Sequence, residues 1–316
     1  MRAVELNQQR ITFRSDYRNR ASRDDLIEVR VTTAGICETD LQLARGYMGF
    51  SGVPGHEFVG VASRGRFARR RVVGEINCAC GTCDTCKAGR RRHCPHRTVI
   101  GILNHDGAFA DSVLVPEENL HVVPDGLSDR QAVFAEPVAA ACRILEQVSM
   151  SPQDSVVILG DGRLGNLCAQ VLKPIGCRLT VVGKHSWKLQ RLRDLDINGC
   201  LLDQHIPEQS ADYVVDCTGS PRGFETALRT VRPCGTVILK TTVAAQQELH
   251  LAPIVIDEVT VLGSRCGPFA PALEMLAEGR VQVEPLISAA YPLEDASAAF
   301  EHAQWPDTLK VLFDVA

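Results

Sequence analysis

The sequence predicts an α/β protein of two domains, in which a β-rich region precedes a doubly wound parallel sheet. Its 316 residues are enough for two ordinary domains, each with its own hydrophobic core. In the first third, short apolar runs are interrupted by glycine, proline and charged residues, which is typical of strands and irregular loops. From about residue 137 onward, apolar strands alternate with helical segments, and this order favours a parallel sheet.

The individual elements follow from the apolar pattern. In the β-rich region the predicted strands are residues 29–31, 58–61 and 112–115. In the second region the predicted strands are 155–159, 179–182, 213–216, 236–239 and 259–263. These runs are apolar throughout because strands that are buried on both faces show no alternation. Helices are predicted at 138–148, 164–172, 187–195, from about 221, and near 271–278.

Composition and charge exclude several classes of protein. Hydrophobic residues make up 45% of the chain, which is too many for a disordered protein. The net charge of −4 argues against a dedicated nucleic-acid-binding protein. The N-terminus lacks the hydrophobic stretch of a signal peptide, and no apolar run reaches the ~18 residues of a membrane-spanning helix. We therefore expect a cytoplasmic protein without nucleic-acid or membrane partners.

A glycine-rich turn connects the predicted strand 155–159 to the helix that follows. Glycines at 160, 162 and 165 form the G-x-G-x-x-G pattern in its required strand–turn–helix context. They allow a tight turn, close approach of backbone to a pyrophosphate, and close helix–strand packing. The pattern predicts dinucleotide binding, and the alternative is a plain glycine-rich β–α turn. The predicted cofactor-binding residues here are Gly160, Gly162, Arg163, Leu164 and Gly165.

The residues after the next strand indicate which dinucleotide binds. An NAD site usually places Asp or Glu there to contact the ribose hydroxyls. This chain instead has Gly183, Lys184 and His185, with Lys188 nearby. Without an acid, a 2′-phosphate meets less repulsion, and the basic side chains supply positive charge. The sequence favours NADP over NAD; the alternative is that Lys184 and His185 belong to a solvated loop.

Four cysteines are concentrated in one short segment of the chain. The spacing Cys80-x2-Cys83-x2-Cys86-x7-Cys94 lets one loop surround one ion. Four thiolates suit tetrahedral Zn²⁺ and leave no open position, so the predicted site is a structural zinc site. A disulfide framework fits a chain without an export signal poorly, and an iron–sulfur cluster is the weaker metal alternative.

Several segments occur in the order typical of one enzyme family. They are Gly-Ile-Cys-Glu-Thr-Asp (35–40), Gly-His-Glu-Phe-Val-Gly (55–60), the four-cysteine segment, Glu-Pro-Val-Ala (136–139), the glycine-rich turn and Asp-Cys-Thr-Gly-Ser (216–220). With them the chain resembles the zinc-dependent medium-chain dehydrogenase/reductase (alcohol dehydrogenase) superfamily. The Glu-Pro segment is most similar to the polyol, glucose and threonine dehydrogenase branch.

The resemblance implies a particular division of the chain. Residues 1–137 and 266–316 would form a GroES-like, β-rich catalytic domain, and residues 138–265 a Rossmann domain. Substrate would bind in the cleft between the two domains, at the carboxyl ends of the strands. A homo-oligomer, either a dimer or a tetramer, is expected because relatives assemble in this way.

The resemblance also implies a catalytic zinc, so that the chain would hold two zinc ions. The implied ligands are Cys37, His56 and Glu136, with Glu57 as an alternating ligand or a neighbour of the site. Three protein ligands of these types leave a fourth position for water or an alcohol oxygen.

Further residues near this zinc and near the cofactor also have implied roles. By resemblance, Asp40 would hydrogen-bond His56 and fix its tautomer, and Thr39 would begin the proton relay to solvent. Thr218, Gly219 and Ser220 would lie near the cofactor.

Together these residues imply an oxidoreductase that transfers hydride between an alcohol and NAD(P), giving an aldehyde or ketone. An alcohol is the expected substrate, and polyols and sugars are among the candidates. One alternative function is a carbonyl reductase that works mainly with NADPH. The other is a non-catalytic binding protein that retains the fold and the structural zinc.

Overall fold

A computed structural model describes residues 1–19, 25–204, 207–242 and 248–316. The chain contacts divide it into two compact units. Unit 1 consists of Met1–Glu136 and Phe269–Ala316, and unit 2 consists of Pro137–Pro268. Unit 1 is dominated by antiparallel strands and unit 2 by a parallel sheet, which confirms the predicted α/β fold class.

The strands are β1 (Ala3–Asn7), β2 (Arg10–Arg14), β3 (Leu26–Gly35), β4 (Glu57–Ala62), β5 (Arg71–Gly74), β6 (Asn77–Cys78), β7 (Thr98–Val99), β8 (Ser112–Pro116), β9 (Leu120–Val122), β10 (Ser155–Leu159), β11 (Arg178–Gly183), β12 (Asn198–Leu201), β13 (Ala211–Asp216), β14 (Val231–Leu239), β15 (Thr260–Gly263), β16 (Ile287–Tyr291) and β17 (Lys310–Asp314). The helices are α1 (Glu38–Ala44), α2 (Asp84–Lys87), α3 (Asp129–Ala132), α4 (Ala135–Gln147), α5 (Arg163–Leu172), α6 (Ser186–Arg193), α7 (Pro221–Thr230), α8 (Ala252–Ile256), α9 (Phe269–Ala277) and α10 (Ala296–His302).

Among the residues of unit 1 that the structure describes, seven strands form one sheet. Six of them have the order β16-β17-β3-β4-β5-β9, and the seventh, β8, pairs with β3. The C-terminal strand β17 runs antiparallel to β3, with Leu312 opposite Gly35. Phe109, Phe300 and Phe313 pack edge to face in the core of this unit. The pairing of β17 with β3 therefore brings the last residues of the chain beside the residues that precede α1.

In the described part of unit 2, six strands form a fully parallel sheet with the order β12-β11-β10-β13-β14-β15. Its central strand β10 is buried from Val156 onward, as its uninterrupted apolar sequence predicts. The buried residues Val157, Val214 and Val237 contribute to the core between this sheet and α7. A doubly wound sheet places the carboxyl ends of β10, β11 and β13 along one edge, where such folds bind ligands.

Each element predicted from the sequence is found in the structure within a few residues of its predicted bounds, but further strands and helices were not predicted, among them β12 in unit 2. The strand at 155–159 is confirmed residue for residue, and the helix predicted at 187–195 is observed as Ser186–Arg193. Strand β12 was missed because it begins with Asn198 and Gly199, residues that are more typical of turns. Across the described residues, no helix combines the length and the apolar character that crossing a bilayer requires.

Candidate active site

Three metal-binding side chains meet inside unit 1. Cys37 precedes α1, while His56 and Glu57 lie at the start of β4. Because Gly35 of β3 pairs with Glu57 of β4, the three side chains converge, and their donor atoms all lie within 4.8 Å of one another. His56 and Glu57 are buried and Cys37 is half-buried. The structure therefore brings these three predicted residues together, and their role as zinc ligands stays a prediction.

Asp40 connects the two segments that carry this cluster. Its carboxylate accepts hydrogen bonds from the backbone N–H of Cys37 at 2.8 Å and of Gly55 at 3.1 Å. Asp40 Oδ1 also lies 3.4 Å from His56 Nδ1. Burial lowers the pKa of His56, but the charges of Asp40 and Cys37 and their hydrogen bonds to the imidazole together outweigh this effect and leave that pKa well above its usual value. Asp40 is thus placed to orient the imidazole of His56.

Thr39 and Glu136 differ in how close they come to the cluster. The hydroxyl of Thr39 lies 3.9 Å from the sulfur of Cys37 and is half-buried. Glu136 is half-buried in the first turn of α4. In the described part of the chain, Glu136 does not belong to the group of donor atoms that lie within 4.8 Å of one another around Cys37. That group consists of Cys37, His56 and Glu57. Glu136 as a zinc ligand therefore stays a prediction.

Lys310 is a residue of this site that the sequence analysis missed. Its ammonium group forms a buried ion pair with Glu57 Oε2 and donates to the backbone carbonyl of Ile36 at 3.2 Å. Burial lowers the pKa of Lys310 to about 8. Gly35 leaves the space for this lysine, because a Cβ at position 35 would lie 2.6 Å from Lys310 Cε. The sequence feature that could have indicated this residue is a lysine within the otherwise apolar strand Lys310–Asp314.

The donor chemistry of the cluster fits a zinc ion. A thiol, an imidazole and a carboxylate are ligands that catalytic zinc accepts. Among the described residues, Glu57 Oε1 is a buried side-chain atom without a hydrogen-bond partner. Buried polar atoms rarely stay unsatisfied, and a metal ligand is one explanation for such an atom. The carboxylate oxygen of Glu57 that Lys310 does not contact is therefore available to a cation.

The four predicted cysteines form a second donor cluster in unit 1. The Sγ–Sγ distances are 3.5 Å for Cys83–Cys86 and Cys80–Cys94, 3.8 Å for Cys83–Cys94, and 3.9 Å for Cys80–Cys86. Four sulfurs at about 2.3 Å from one tetrahedral ion would be about 3.8 Å apart. None of the described cysteines forms a disulfide. The arrangement has the size of a zinc site.

The thiol groups of this loop differ in pKa, and therefore in how readily they form the thiolate that binds a metal. Hydrogen bonds from the backbone N–H groups of Thr82 and Cys83 lower the pKa of Cys80 to about 5. Burial raises the pKa of Cys86 to about 12. A thiolate is the form that binds zinc, so Cys80 is already in its binding form near neutral pH.

The glycine-rich turn of unit 2 has the backbone geometry that dinucleotide binding needs. Gly160 adopts a φ of 111°, and a Cβ there would lie 2.7 Å from the carbonyl oxygen of Cys217. A Cβ at Gly165 would lie 1.9 Å from the carbonyl oxygen of Gly160. Gly162 caps α5, which begins at Arg163 and continues through Leu164. The turn therefore leads directly into a helix N-terminus, which favours phosphate groups.

A cavity of about 890 Å³ opens at the carboxyl ends of β10, β11 and β13. Five predicted cofactor-binding residues line it, namely Gly160, Lys184, His185, Thr218 and Ser220. Gly219 lies between the last two, and its N–H donates to the hydroxyl of Thr241 at 3.0 Å. Lys188, by contrast, is buried on α6 with its ammonium 5.2 Å from the ring of Trp187. The cavity has the size of a ligand-binding site.

Asp161 is the second site residue that the sequence analysis missed. It follows the first glycine of the turn, and its Oδ2 accepts hydrogen bonds from the backbone N–H of Lys184 at 2.8 Å and of His185 at 2.7 Å. The imidazole Nδ1 of His185 lies 3.1 Å from the same oxygen. The end of β11 therefore has a carboxylate after all, although no acidic residue stands there in the sequence.

Comparisons with known proteins agree with both units. The family model described as alcohol dehydrogenase GroES-like domain matches residues 23–125, and the model described as zinc-binding dehydrogenase matches residues 164–278. The chain is 27% identical to a sorbitol dehydrogenase from Halalkalibacterium halodurans, with 90% of each chain covered.

Solved structures show the same relationship. An alcohol dehydrogenase from Thermus sp. ATN1 superposes with a TM-score of 0.90 at 29% identity, with 100% of each chain covered. A structure described as a zinc-binding dehydrogenase from Sinorhizobium meliloti 1021 was solved with bound NADP. It superposes with a TM-score of 0.87 at 25% identity, covering 99% of this chain and 98% of that one. The two family matches, the donor cluster and the dinucleotide turn together show that the chain belongs to the zinc-dependent medium-chain alcohol dehydrogenase superfamily and is an NAD(P)-dependent alcohol oxidoreductase.

Proposed function

We propose that the chain catalyses the reversible oxidation of a polyol or sugar alcohol to a carbonyl compound, with NADP as the preferred cofactor. The observation that carries this proposal is the presence, in one chain, of the buried Cys37–His56–Glu57 cluster and a dinucleotide-binding turn. The similarity to a sorbitol dehydrogenase supports polyols as the substrate class.

The catalytic zinc would be held by Cys37 and His56, with a carboxylate as the third protein ligand. Glu57 and Glu136 are the two candidates for this carboxylate. Glu57 is close to the other ligands but also pairs with Lys310, whereas Glu136 needs to move toward the cluster when the metal binds. We propose that the two carboxylates alternate as the third protein ligand, so that the fourth position stays open for substrate.

The chain's own residues would orient the reactants and move the proton. When bound, zinc acts as a Lewis acid on the substrate oxygen, and the nicotinamide accepts the hydride. Asp40 holds the ring of His56 in one orientation, which fixes the nitrogen that faces the metal. The hydroxyl of Thr39, beside Cys37, would accept the alcohol proton and pass it toward solvent.

The four-cysteine loop would hold a second, structural zinc. Its sulfur–sulfur distances of 3.5–3.9 Å match one tetrahedral ion and leave no position for substrate. This zinc would stabilise the loop rather than take part in the reaction, so the chain would contain two zinc ions.

The preference for NADP rests on positive charge beside the cavity. Lys184 is exposed at its rim, and His185 is half-buried next to it. A 2′-phosphate carries about −1.5 to −2 charges near neutral pH, so both side chains would attract it more than a ribose hydroxyl.

A homo-oligomer is proposed to form through unit 2. Strand β15 is an edge strand of the parallel sheet, and its Val261 is 39% exposed. Val255 and Ile256 at the end of α8 are 75% and 76% exposed. An exposed apolar edge strand can pair with a strand of another chain. If β15 of one copy paired with β15 of a second copy, the two would form a symmetric dimer.

The first test is metal content by mass spectrometry, with NAD⁺ and NADP⁺ titrations and a screen of polyols on the same sample. We expect two zinc ions per chain, tighter binding of NADP⁺, and oxidation of at least one polyol. Cys37→Ser should leave one zinc ion and cofactor binding intact and abolish oxidation, whereas the exposed control Cys234→Ser should change none of these quantities. One zinc ion in the wild-type chain without cofactor binding would instead indicate a non-catalytic binding protein.

A further inference from the structure

The end of β11 combines a missing side chain with a carboxylate supplied from another turn. Dinucleotide-binding folds usually place Asp or Glu at this strand end, where it contacts the ribose hydroxyls. Here the strand ends at Gly183, and a Cβ at that position would lie 2.3 Å from the Cβ of Asp161 and 2.4 Å from its Oδ2. The side chain of Asp161 thus occupies the space in which a side chain at position 183 would begin.

We propose that Asp161 replaces the strand-end acid and is a specificity-determining residue that opposes the 2′-phosphate of NADP, against the attraction of Lys184 and His185. This inference rests on the proposed function, because it assumes that the cavity binds a nicotinamide dinucleotide. In this view the cofactor preference is a balance of charges rather than the result of an absent acid.

The carboxylate of Asp161 is held firmly in place. Its side chain is 9% exposed, and Oδ2 accepts the two backbone N–H groups of Lys184 and His185 at 2.8 and 2.7 Å. Oδ1 lies 3.2 Å from Nδ1 of His185. A charge that is fixed by two backbone hydrogen bonds cannot move away when an anionic group arrives, so its repulsion must be overcome on binding.

The position of the carboxylate relative to the cavity gives it this influence. Asp161, Gly183, Lys184 and His185 all line the same cavity. Lys184 is exposed, so solvent and salt screen its charge more strongly than the charge of the nearly buried Asp161. Oδ1 has no backbone partner among the described residues, and it is the oxygen that a ribose hydroxyl would reach as a donor.

A purely structural role for Asp161, as a brace of the loop after β11, makes a different prediction. Asparagine has the same shape and retains an oxygen that accepts backbone hydrogen bonds, but it lacks the charge. If Asp161 only braces the loop, Asp161→Asn changes the binding of NAD⁺ and NADP⁺ by the same factor. If the charge discriminates, the two affinities change by different factors.

The experiment is calorimetric titration of NAD⁺ and NADP⁺ into the wild-type chain and three variants. Asp161→Asn should raise the preference for NADP⁺ over NAD⁺ by about tenfold, since removal of one nearby charge is worth roughly this factor. Lys184→Gln should shift the preference toward NAD⁺. Asp154→Asn is the matched control, because Asp154 also accepts a backbone N–H, from Ser151 at 2.6 Å, but does not line the cavity.

The outcomes separate this inference from the proposed function. An unchanged preference in Asp161→Asn, or a shift toward NAD⁺, would overturn the inference while the proposed function stands. A wild-type chain that binds neither dinucleotide would contradict the proposed function itself. Should Asp161→Asn fold poorly, Asp161→Ser gives a second reading, because serine also removes the charge and keeps a polar side chain at this position.

Discussion

The buried ion pair between Lys310 and Glu57 sets the charge of the candidate zinc site. Both side chains are completely buried, so neither charge is compensated by water. The lysine neutralises one oxygen of Glu57 and leaves the other facing His56 and Cys37. Because the ammonium group of Lys310 balances the carboxylate of Glu57, the cluster can bind a divalent cation without an excess of buried negative charge.

Removing this lysine should destabilise the protein strongly. Lys310→Met leaves the carboxylate of Glu57 buried without its counter-ion, which costs about 3–5 kcal/mol for a pair of this kind. The free energy of unfolding in urea measures the effect. The double variant Lys310→Met with Glu57→Gln should recover most of the loss, and Lys173→Met, at a lysine that is 45% exposed, should change little. A loss below about 1 kcal/mol in the single variant would contradict the assigned role.

At the scale of the element, the strand–turn–helix of β10 and α5 depends on close backbone packing. Gly165→Ala brings a Cβ to 1.9 Å from the carbonyl of Gly160, so the helix must move away from the strand. We expect a loss of about 1–3 kcal/mol in stability and weaker dinucleotide binding, measured by denaturation and titration. Gly162→Ala is the control for stability, since nothing lies within 4 Å of its Cβ. Equal stability of both variants would argue against the packing explanation.

The contact between β9 and α9 should respond to pH. The ring of His121 stacks on Phe269 at 5.0 Å, and burial, with smaller contributions from Arg66 and Arg92, lowers the pKa of His121. The unfolded chain then binds a proton that the folded chain does not, so stability falls as pH decreases below about 6.5. His121→Phe keeps the stack and removes the titration. Between pH 7.5 and pH 5.5, the free energy of unfolding should decrease more for the wild type than for His121→Phe. An equal decrease in both proteins would refute this prediction.

The four-cysteine loop should depend on its metal as a unit. Cys83→Ser removes one thiolate of a closed set, so the chain should lose one of the two proposed zinc ions and become sensitive to proteolysis within residues 80–94. Mass spectrometry gives the zinc content and the cleavage sites. The exposed Cys234→Ser serves as the control. Retention of both zinc ions in Cys83→Ser would show that this cysteine is not a ligand.

At the scale of the whole molecule, the edge of the parallel sheet is the place to test assembly. Val261→Lys places a charge at an exposed position of β15. Natural edge strands carry charged side chains, lysine above all, that prevent pairing with another strand. Light scattering should show that the wild type is a dimer or tetramer and that the variant has a smaller mass. Gln8→Lys, at an exposed residue of unit 1, is the control for the added charge. An unchanged mass in Val261→Lys would place the interface elsewhere.

The sequence was sufficient for features that depend on neighbouring residues. The strand 155–159, the glycine-rich turn and the four-cysteine segment are local patterns, and the structure has each of them at the predicted positions. Strand β12 was missed because it lies at the edge of the sheet and its residues have little intrinsic strand preference. Pairing with β11, rather than its own composition, makes this segment a strand.

By itself, the sequence determined the types of donor groups and the order in which they occur, and hence the family. Only the tertiary structure decided which charges face those groups. Lys310 reaches Glu57 across 253 positions of the chain because β17 pairs with β3, and Asp161 reaches His185 across 24 positions because β10 pairs with β11. The energy of a charge depends on its distance and burial, and strand pairing fixes both quantities for residues that are far apart in sequence.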